Sequence, residues 1–213
     1  MLAIVSAIKD EVLTIIKELQ AEKLPNTEAW ISKENSVYIL PLGVGFLAVA
    51  IKLQQFCYQH PEINSVLFCG TAGSYQDRNH IGQLVGCQST VLADAAAEQK
   101  LSLYAPILER GALQPTLKLD LDLPSGKVLT ALTLTKSDEV AVNMAQNTNS
   151  EFENMELYGI ASVSKLLNLK WNSILGITNK VGENGHVEWF KNHRSIETKS
   201  GILVSEMIKS RKC

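Results

Sequence analysis

The segment SVLFCGTAG, residues 65–73, decides the fold class of this 213-residue chain. Its first five residues, 65–69, form an apolar, partly β-branched run of the kind found in strands buried on both faces. The glycines at both ends of 70–73 then predict a tight turn, where backbone amides are able to approach a ligand closely. An ordinary strand-to-helix connection would also explain this turn. Either way, a buried strand that stops abruptly is typical of α/β proteins.

Apolar runs on both sides of this segment alternate with amphipathic segments. Residues 95–126 interrupt the alternation: they hold three of the six prolines and predict an irregular excursion. The alternation predicts an α/β fold, a single three-layer domain over residues 1–213 with a mixed, mostly parallel central sheet flanked by helices. We predict strands over 2–5, 37–42, 85–92, 128–134, 152–155 and 173–178, and helices over 12–19, 46–58, 137–146, 157–167 and beyond 185.

Composition excludes several classes of protein. Apolar residues make up 46% of the chain, and the formal charge is −2 with no basic block. This balance argues against nucleic acid as a partner, because phosphate neutralisation needs clustered lysine and arginine. The apolar start at residues 1–8 is too short for a signal segment, and no stretch approaches the roughly 18 apolar residues of a membrane span. Four scattered cysteines form no metal or disulfide pattern and predict a reducing cytoplasm.

Polar groups follow several of the predicted strands. Residues 9–11, 70–73 and 178–182 lie at strand ends, and residues 154–156 lie where a short strand passes into a helix. Because ligands of α/β sheets bind at the carboxyl ends of strands, these groups predict one common site. A second glycine turn, Gly43-Val44-Gly45, adds backbone amides. Neither glycine turn has the spacing of a dinucleotide or triphosphate loop.

Each candidate residue in these groups has two interpretations. Glu11 and Glu156 both open helices. Each is therefore a surface acid that complements the helix dipole or a carboxylate of a site. In the second interpretation Glu11 serves as a general base. Asn179 is either a turn residue or a ligand contact. His186 and His193 lie seven residues apart, and without an H-E-x-x-H pattern we expect them to be solvated rather than to bind a metal.

Four motifs together resemble one family. They are SAIKDEV at 6–12, CGTAG at 69–73, ENME at 153–156 and ITNKVG at 177–182. In this order and spacing they resemble the nucleoside phosphorylase and nucleosidase superfamily, and within it the 5′-methylthioadenosine/S-adenosylhomocysteine nucleosidases and futalosine hydrolase. The resemblance extends from residue 2 to about residue 190.

This resemblance implies roles for the candidate residues. Glu11 would activate the attacking water, Glu156 would hold the ribose hydroxyls, and Met155 would pack beneath the sugar. Thr71, with Ala72 and Gly73, would form a wall of the ribosyl site. The other expected substrate contacts are Gly43, Asn154 and Lys180. The resemblance implies neither a metal nor an organic cofactor, and it implies a homodimer.

Two departures from the nucleosidase pattern bear on the substrate. Asn179 stands where those nucleosidases carry an aspartate that protonates the purine at N7, and Leu175 stands where they carry an arginine. An asparagine cannot give a full proton, but its amide offers a donor and an acceptor together. Hypoxanthine is the better leaving group, so Asn179 favours a hypoxanthine nucleoside.

Futalosine hydrolase resembles this chain at the same point. Its late strand ends in N-x-V-G, which matches residues 179–182. A tryptophan follows seven residues after that glycine, and it matches Trp189. Where that family has Arg-Asp, this chain has Asn184-Gly185, so the carboxylate of futalosine would need another partner: Lys180, His186 or Lys191.

The first loop favours hydrolysis over phosphorolysis. It presents Lys9-Asp10-Glu11, and a carboxylate there repels phosphate and suits water activation. The chain has only four arginines that could bind phosphate, at 78, 110, 194 and 211. We therefore expect a cytoplasmic hydrolase of futalosine or aminofutalosine in menaquinone biosynthesis. A 5′-methylthioadenosine/S-adenosylhomocysteine nucleosidase, a phosphorylase and a non-catalytic nucleoside-binding module are the alternatives.

Overall fold

A mixed β-sheet forms the centre of the computed structural model, which describes residues 1–76, 80–104 and 111–210. Within these residues the sheet has nine strands, in the order β2-β3-β4-β1-β5-β8-β7-β6-β9. The strands β1 to β9 are, in chain order, Leu2–Ser6, Glu22–Lys23, Trp30–Ser32, Val37–Pro41, Ser65–Ser74, Leu84–Ala93, Ser125–Ala131, Phe152–Asn154 and Lys170–Lys180.

Helices cover this sheet. A 3-10 helix over Lys9–Val12 leads into the first α-helix. The helix that follows Ser137 is capped as its sequence predicts, because the Ser137 side chain accepts a hydrogen bond from the Val140 backbone amide. The helices α1 to α6 are Leu13–Glu18, Phe46–Gln59, Ala95–Glu98, Asp138–Thr148, Leu157–Leu166 and Gly185–Ser210.

The strand pairing confirms the expected α/β fold with a mixed, mostly parallel sheet. Parallel pairs join β4 to β1, β1 to β5, β5 to β9, β6 to β7 and β7 to β8. Because β9 pairs with β5 on one side and with β6 on the other, part of the sheet closes into a ring of five strands. This closure places the short strand β8, which is antiparallel to β5, beside the carboxyl ends of β5 and β9.

Two hydrophobic clusters hold the helices to opposite faces of the sheet. Val49 and Leu53 of α2 are fully buried in the first cluster, as their helical spacing predicts. The second cluster packs Ile15 of α1 and Val204 of α6 against β1 and β5. The burial of these apolar faces is the main favourable contribution to folding.

Helix α6 lies close to its neighbours at two glycines. A methyl group on Gly176 of β9 would overlap Ile196 of α6, and one on Gly201 of α6 would lie 2.5 Å from Cβ of Thr14 in α1. Glycine at these positions therefore allows a close approach of backbones that no larger residue permits.

The predicted turn at residues 70–73 is wrong. Strand β5 continues through these residues to Ser74, and they pair with β9, where Gly73 lies opposite Asn179. A β-bulge between Ala72 and Gly73 shifts the register. The small residues serve packing here, because a Cβ on Gly70 would lie 2.8 Å from the Phe68 ring. Asn179, which pairs with Gly73, therefore lies within β9 and not in a loop.

Other elements differ at their boundaries. Strand β7 lies three residues earlier than predicted, and the short strands β2 and β3 are not evident from the sequence. In the excursion at 95–126, alternate leucines from 117 to 123 pack against the second cluster. No described helix has the length and apolarity to cross a bilayer. Arg78, Arg110, Arg211 and Cys213 lie outside the described residues.

Candidate active site

A cavity of about 270 Å³ opens where the closed part of the sheet ends. It collects eight of the ten predicted site residues from four separate segments of the chain. These eight are Glu11, Thr71, Ala72, Gly73, Asn154, Met155, Glu156 and Asn179.

The Glu11 carboxylate is anchored by hydrogen bonds from two segments. Its Oε2 accepts from the backbone amides of Ala7 (2.9 Å) and Ile8 (3.1 Å). Its Oε1 accepts from the Thr71 amide at 3.1 Å and from the Thr71 hydroxyl at 3.3 Å. Only 6% of Glu11 is exposed, so it is not the surface acid that one interpretation predicted. The four donors fix the carboxylate in one orientation at the cavity wall.

Glu156 is held in the same way. It precedes α5, and its Oε1 accepts from the Gly45 amide at 2.9 Å while its Oε2 accepts from the Met155 amide at 3.1 Å. The glycine turn at 43–45 therefore contributes the Gly45 amide, which binds Glu156. The positive φ of Gly45, 92°, favours glycine at this position. Glu156 is also buried, which again excludes a surface acid.

The two carboxylates influence each other. Burial raises the pKa of Glu11 to about 8, and the negative charge of Glu156 adds to the rise, although hydrogen bonds from Ile8 and Ala7 lower it. Burial also raises the pKa of Glu156, opposed by the Gly45 and Met155 amides. A carboxyl group whose pKa lies near neutrality has the value that suits a general base.

Asn179 presents its amide at the same cavity. Its Nδ2 donates to the Lys180 carbonyl oxygen at 3.0 Å, and its Oδ1 accepts from the Thr178 hydroxyl at 2.8 Å. The Lys180 carbonyl fixes which end of the amide faces it. If the amide were rotated by 180°, Oδ1 of Asn179 would face the Lys180 carbonyl oxygen, and two acceptors would meet. One N–H and one oxygen lone pair remain for a ligand. A Cβ on Gly73 would lie 2.8 Å from Nδ2, so Gly73 provides the space for the amide.

Asn154 is held in the cavity wall by hydrogen bonds to its side-chain oxygen. Its Oδ1 accepts from the Thr130 hydroxyl at 3.2 Å and from the Leu157 amide at 3.3 Å. Its Nδ2 is buried and has no hydrogen-bond partner among the described residues. A buried N–H without a partner is costly, and this one is enclosed by protein, so Asn154 lines the cavity with the rest of its side chain.

A stack of aromatic rings on α6 is connected to Glu11 through the Thr71 hydroxyl. Trp189 Nε1 donates to the Thr71 hydroxyl at 3.2 Å, and that hydroxyl reaches Glu11. The His193 ring stacks on Trp189 with centroids 4.3 Å apart, and His193 Nδ1 lies 3.1 Å from Glu197 Oε1. The expectation of a solvated His193 is therefore wrong: the ring is buried because α6 turns this face toward the sheet.

Gly43 and Lys180 are not in the lining of the cavity. The Gly43 amide donates to the Ala7 carbonyl, and Val44 reaches the cavity in its place. The Lys180 backbone binds Asn179 and Glu188, so its main chain supports the site. His186 is exposed at the rim of the cavity, as expected, and stacks on Trp189.

The structure adds lining residues that the sequence did not indicate. They include Glu153 and the segment 134–136, which contains Lys136. Burial raises the pKa of Glu153, although hydrogen bonds from Tyr75 and Thr135 lower it. The motif at 153–156 was the available signal, because Glu153 begins it. Among the described residues, no three histidine, cysteine, aspartate or glutamate side chains form a metal site.

The sequence of this chain matches the phosphorylase superfamily over residues 2–209. The chain belongs to that superfamily. No curated protein matches it significantly.

Solved structures of nucleosidases share the fold. The native futalosine hydrolase of Helicobacter pylori is 14% identical, with a TM-score of 0.84 over 98% of this chain and 97% of that one. A putative 5′-methylthioadenosine/S-adenosylhomocysteine nucleosidase from Francisella philomiragia is 16% identical, with a TM-score of 0.82 over 98% of both chains. The corresponding nucleosidase from Colwellia psychrerythraea, in complex with adenine, is 17% identical, with a TM-score of 0.81 over 98% of this chain and 94% of that one.

Proposed function

We propose that this protein hydrolyses the N-glycosidic bond of a purine ribonucleoside that carries a 5′ substituent. The observation that carries the proposal is the meeting of Glu11, Glu156 and Asn179 in one cavity. These residues lie far apart in the sequence, and membership of the phosphorylase superfamily agrees with the assignment.

The chemistry of the reaction suits these three groups. Cleavage of an N-ribosidic bond passes through a state in which positive charge develops on the sugar and negative charge on the leaving purine. Glu156 accepts hydrogen bonds from the ribose hydroxyls, and Glu11 takes a proton from the attacking water. The remaining N–H of Asn179 donates to the purine. Met155 packs beneath the sugar, and Asn154 next to it forms part of the cavity wall.

Water is the proposed nucleophile in place of phosphate. Glu11, Glu153 and Glu156 all line the cavity, and their ionised forms repel an anion. The basic side chains in the described lining are Lys136 and His186. Arg194, the one arginine in the described part of the chain, is exposed on α6 and outside that lining.

For the substrate we propose futalosine or aminofutalosine, which places the protein in menaquinone biosynthesis. Structural similarity to futalosine hydrolase supports this choice, and similarity to the 5′-methylthioadenosine/S-adenosylhomocysteine nucleosidases supports the alternative. Of the three candidate partners for the futalosine carboxylate, His186 is the one at the cavity.

A base-release assay tests the function. The protein is incubated with futalosine, aminofutalosine and 5′-methylthioadenosine, with and without phosphate, and the free base is quantified. We expect release without phosphate and fastest turnover of a futalosine-type substrate. A requirement for phosphate would indicate a phosphorylase, and tight nucleoside binding without release would indicate a binding module.

The substitution Asn179→Asp should shift the preference toward adenine nucleosides. One carboxyl oxygen would lie near the Lys180 carbonyl, where the amide now donates at 3.0 Å. The nearby carbonyl oxygen disfavours the ionised carboxylate, and an aspartic acid whose single O–H faces the purine is able to protonate it at N7. Competition between hypoxanthine and adenine substrates measures the shift. Unchanged relative rates in a folded variant would contradict this role of Asn179.

We also propose a homodimer in the cytoplasm. Leu47 and Ile51 lie four residues apart on α2 and are 61% and 57% exposed, and Val44 next to them reaches the cavity. An apolar patch of this kind is typical of an interface. The described cysteines are free thiols, in agreement with a reducing compartment. Light scattering should give twice the monomer mass, and a monomeric mass would contradict the dimer.

A further inference from the structure

The buried carboxylate of Glu153 lies on one row of the sheet with Asn179. Gly73 of β5 is paired with Glu153 of β8 on one side and with Asn179 of β9 on the other. Neighbouring strands lie about 4.8 Å apart, so the three backbone positions span about 10 Å. Side chains on such a row project from the same face of the sheet. Glu153 and Asn179 both line the cavity, and Gly73 between them has no side chain.

The hydrogen bonds of Glu153 leave it able to accept one more. The Tyr75 hydroxyl donates to its Oε2 at 2.6 Å, and the Thr135 hydroxyl donates to the same atom at 2.7 Å. The Thr135 backbone amide is a third donor. A carboxylate has about four acceptor positions, so the group is oriented by the protein and retains capacity for a ligand N–H.

We infer that Glu153 selects the base of the substrate by accepting a hydrogen bond from N1–H of a 6-oxopurine. The proposal rests on the proposed function, since it assigns the purine to the space between Glu153 and Asn179. With the Asn179 amide at the N7 edge, the next ring nitrogen along the same side of the purine is N1. In hypoxanthine N1 carries a hydrogen, whereas in adenine N1 is an acceptor with a lone pair.

The consequence for the substrate is a preference of hypoxanthine over adenine. A buried carboxylate opposite the N1 lone pair of adenine would leave two acceptors facing each other, which is unfavourable in a site that excludes water. Sites that hydrogen-bond a particular N–H discriminate strongly against analogues without it. Futalosine, a hypoxanthine nucleoside, is therefore favoured over its 6-amino analogue.

Binding of free bases tests this inference without any turnover. Isothermal titration at pH 8 compares hypoxanthine, adenine and 1-methylhypoxanthine, which has a methyl group in place of the N1 hydrogen. We expect the wild-type protein to bind hypoxanthine at least about tenfold more tightly than either of the others. In Glu153→Gln the carbonyl retains the two hydroxyl donors, and an amide nitrogen faces the ligand. The preference for hypoxanthine should therefore fall at least about tenfold.

Two further variants complete the experiment. Glu139→Gln removes the same charge from an exposed position on α4, outside the cavity lining, and should leave the base preference unchanged. Tyr75→Phe removes one of the donors that orient Glu153 and should reduce the preference by a smaller factor, which provides a test even if Glu153→Gln does not fold.

The outcomes separate the two proposals. Equal wild-type affinity for the three bases, absence of base binding, or an unchanged preference in folded Glu153→Gln would overturn the role of Glu153. If hydrolysis were still observed in those cases, the proposed function would stand alone. Selective binding of hypoxanthine that depends on Glu153, in a protein that releases no base, would support the inference and reject the hydrolase.

Discussion

Turnover of the nucleoside should fall by at least ~10²-fold in Glu11→Gln, the usual scale for loss of a general base. The amide cannot take a proton from water. Its nitrogen would also face backbone N–H groups, either those of Ala7 and Ile8 or that of Thr71, where the carboxylate now accepts. Steady-state rates of base release measure the loss, and thermal unfolding shows whether the variant remains folded.

The pH profile and a neighbouring acid serve as controls for this prediction. Because the pKa of Glu11 is raised to about 8, its ionised fraction grows as the pH rises toward that value. The wild-type rate should therefore increase with pH and level off above about 8, and the residual rate of Glu11→Gln should be flat in this range. Asp10→Asn changes an exposed acid in the same turn and should leave the rate near the wild-type value. A near-wild-type rate in Glu11→Gln would remove Glu11 from the mechanism.

The second large effect is expected for Glu156→Gln, in which kcat/KM should fall by at least ~10²-fold because hydrogen bonds to the sugar strengthen in the transition state. Each Glu156 oxygen already accepts from a backbone amide, of Gly45 or Met155. In the variant, the oxygen of the glutamine side chain accepts from one of these two backbone amides. Its NH₂ group then faces the other backbone amide, so two donors meet. The rising part of the pH profile should also move to lower pH, because the charge of Glu156 contributes to the raised pKa of Glu11.

A substrate analogue provides the control for Glu156. A 2′-deoxyribose substrate lacks one of the hydroxyls, so Glu156→Gln should cost it less than it costs the ribose substrate. Equal losses on both substrates would contradict a hydrogen bond from the 2′ hydroxyl to Glu156. An unshifted pH profile would contradict the electrostatic link between the two carboxylates.

The alternation of apolar and amphipathic segments was sufficient to predict the fold class and most elements. Helix α2 and strand β4 agree with the prediction to within a residue, because apolar spacing reports burial directly. The glycines at 70 and 73 misled the prediction, since glycine signals a turn and close packing within a strand equally well. Closure of the sheet depends on β9 pairing with two strands, and such long-range pairing leaves no local pattern.

The candidate site was predicted in part. Glu11, Glu156 and Asn179 adjoin predicted strands, and the rule for strand ends brings them together. Glu153 was missed because β8 has three residues, too few to show an alternation that places one side chain in the cavity. The burial of His193 was missed because it depends on Trp189 and Glu197, its stacking and hydrogen-bond partners in the folded chain.

The close contacts of helix α6 constrain how a product leaves. Trp189 forms one wall of the cavity on a helix that is locked against β9 at Gly176 and against α1 at Gly201. Swinging that wall outward would disrupt both contacts. Val44 and Leu134 also line the cavity and are each 58% exposed. We therefore expect the freed base to leave past exposed lining side chains such as these and not by movement of α6, and bulk added there should slow release while the bond-breaking step keeps its rate.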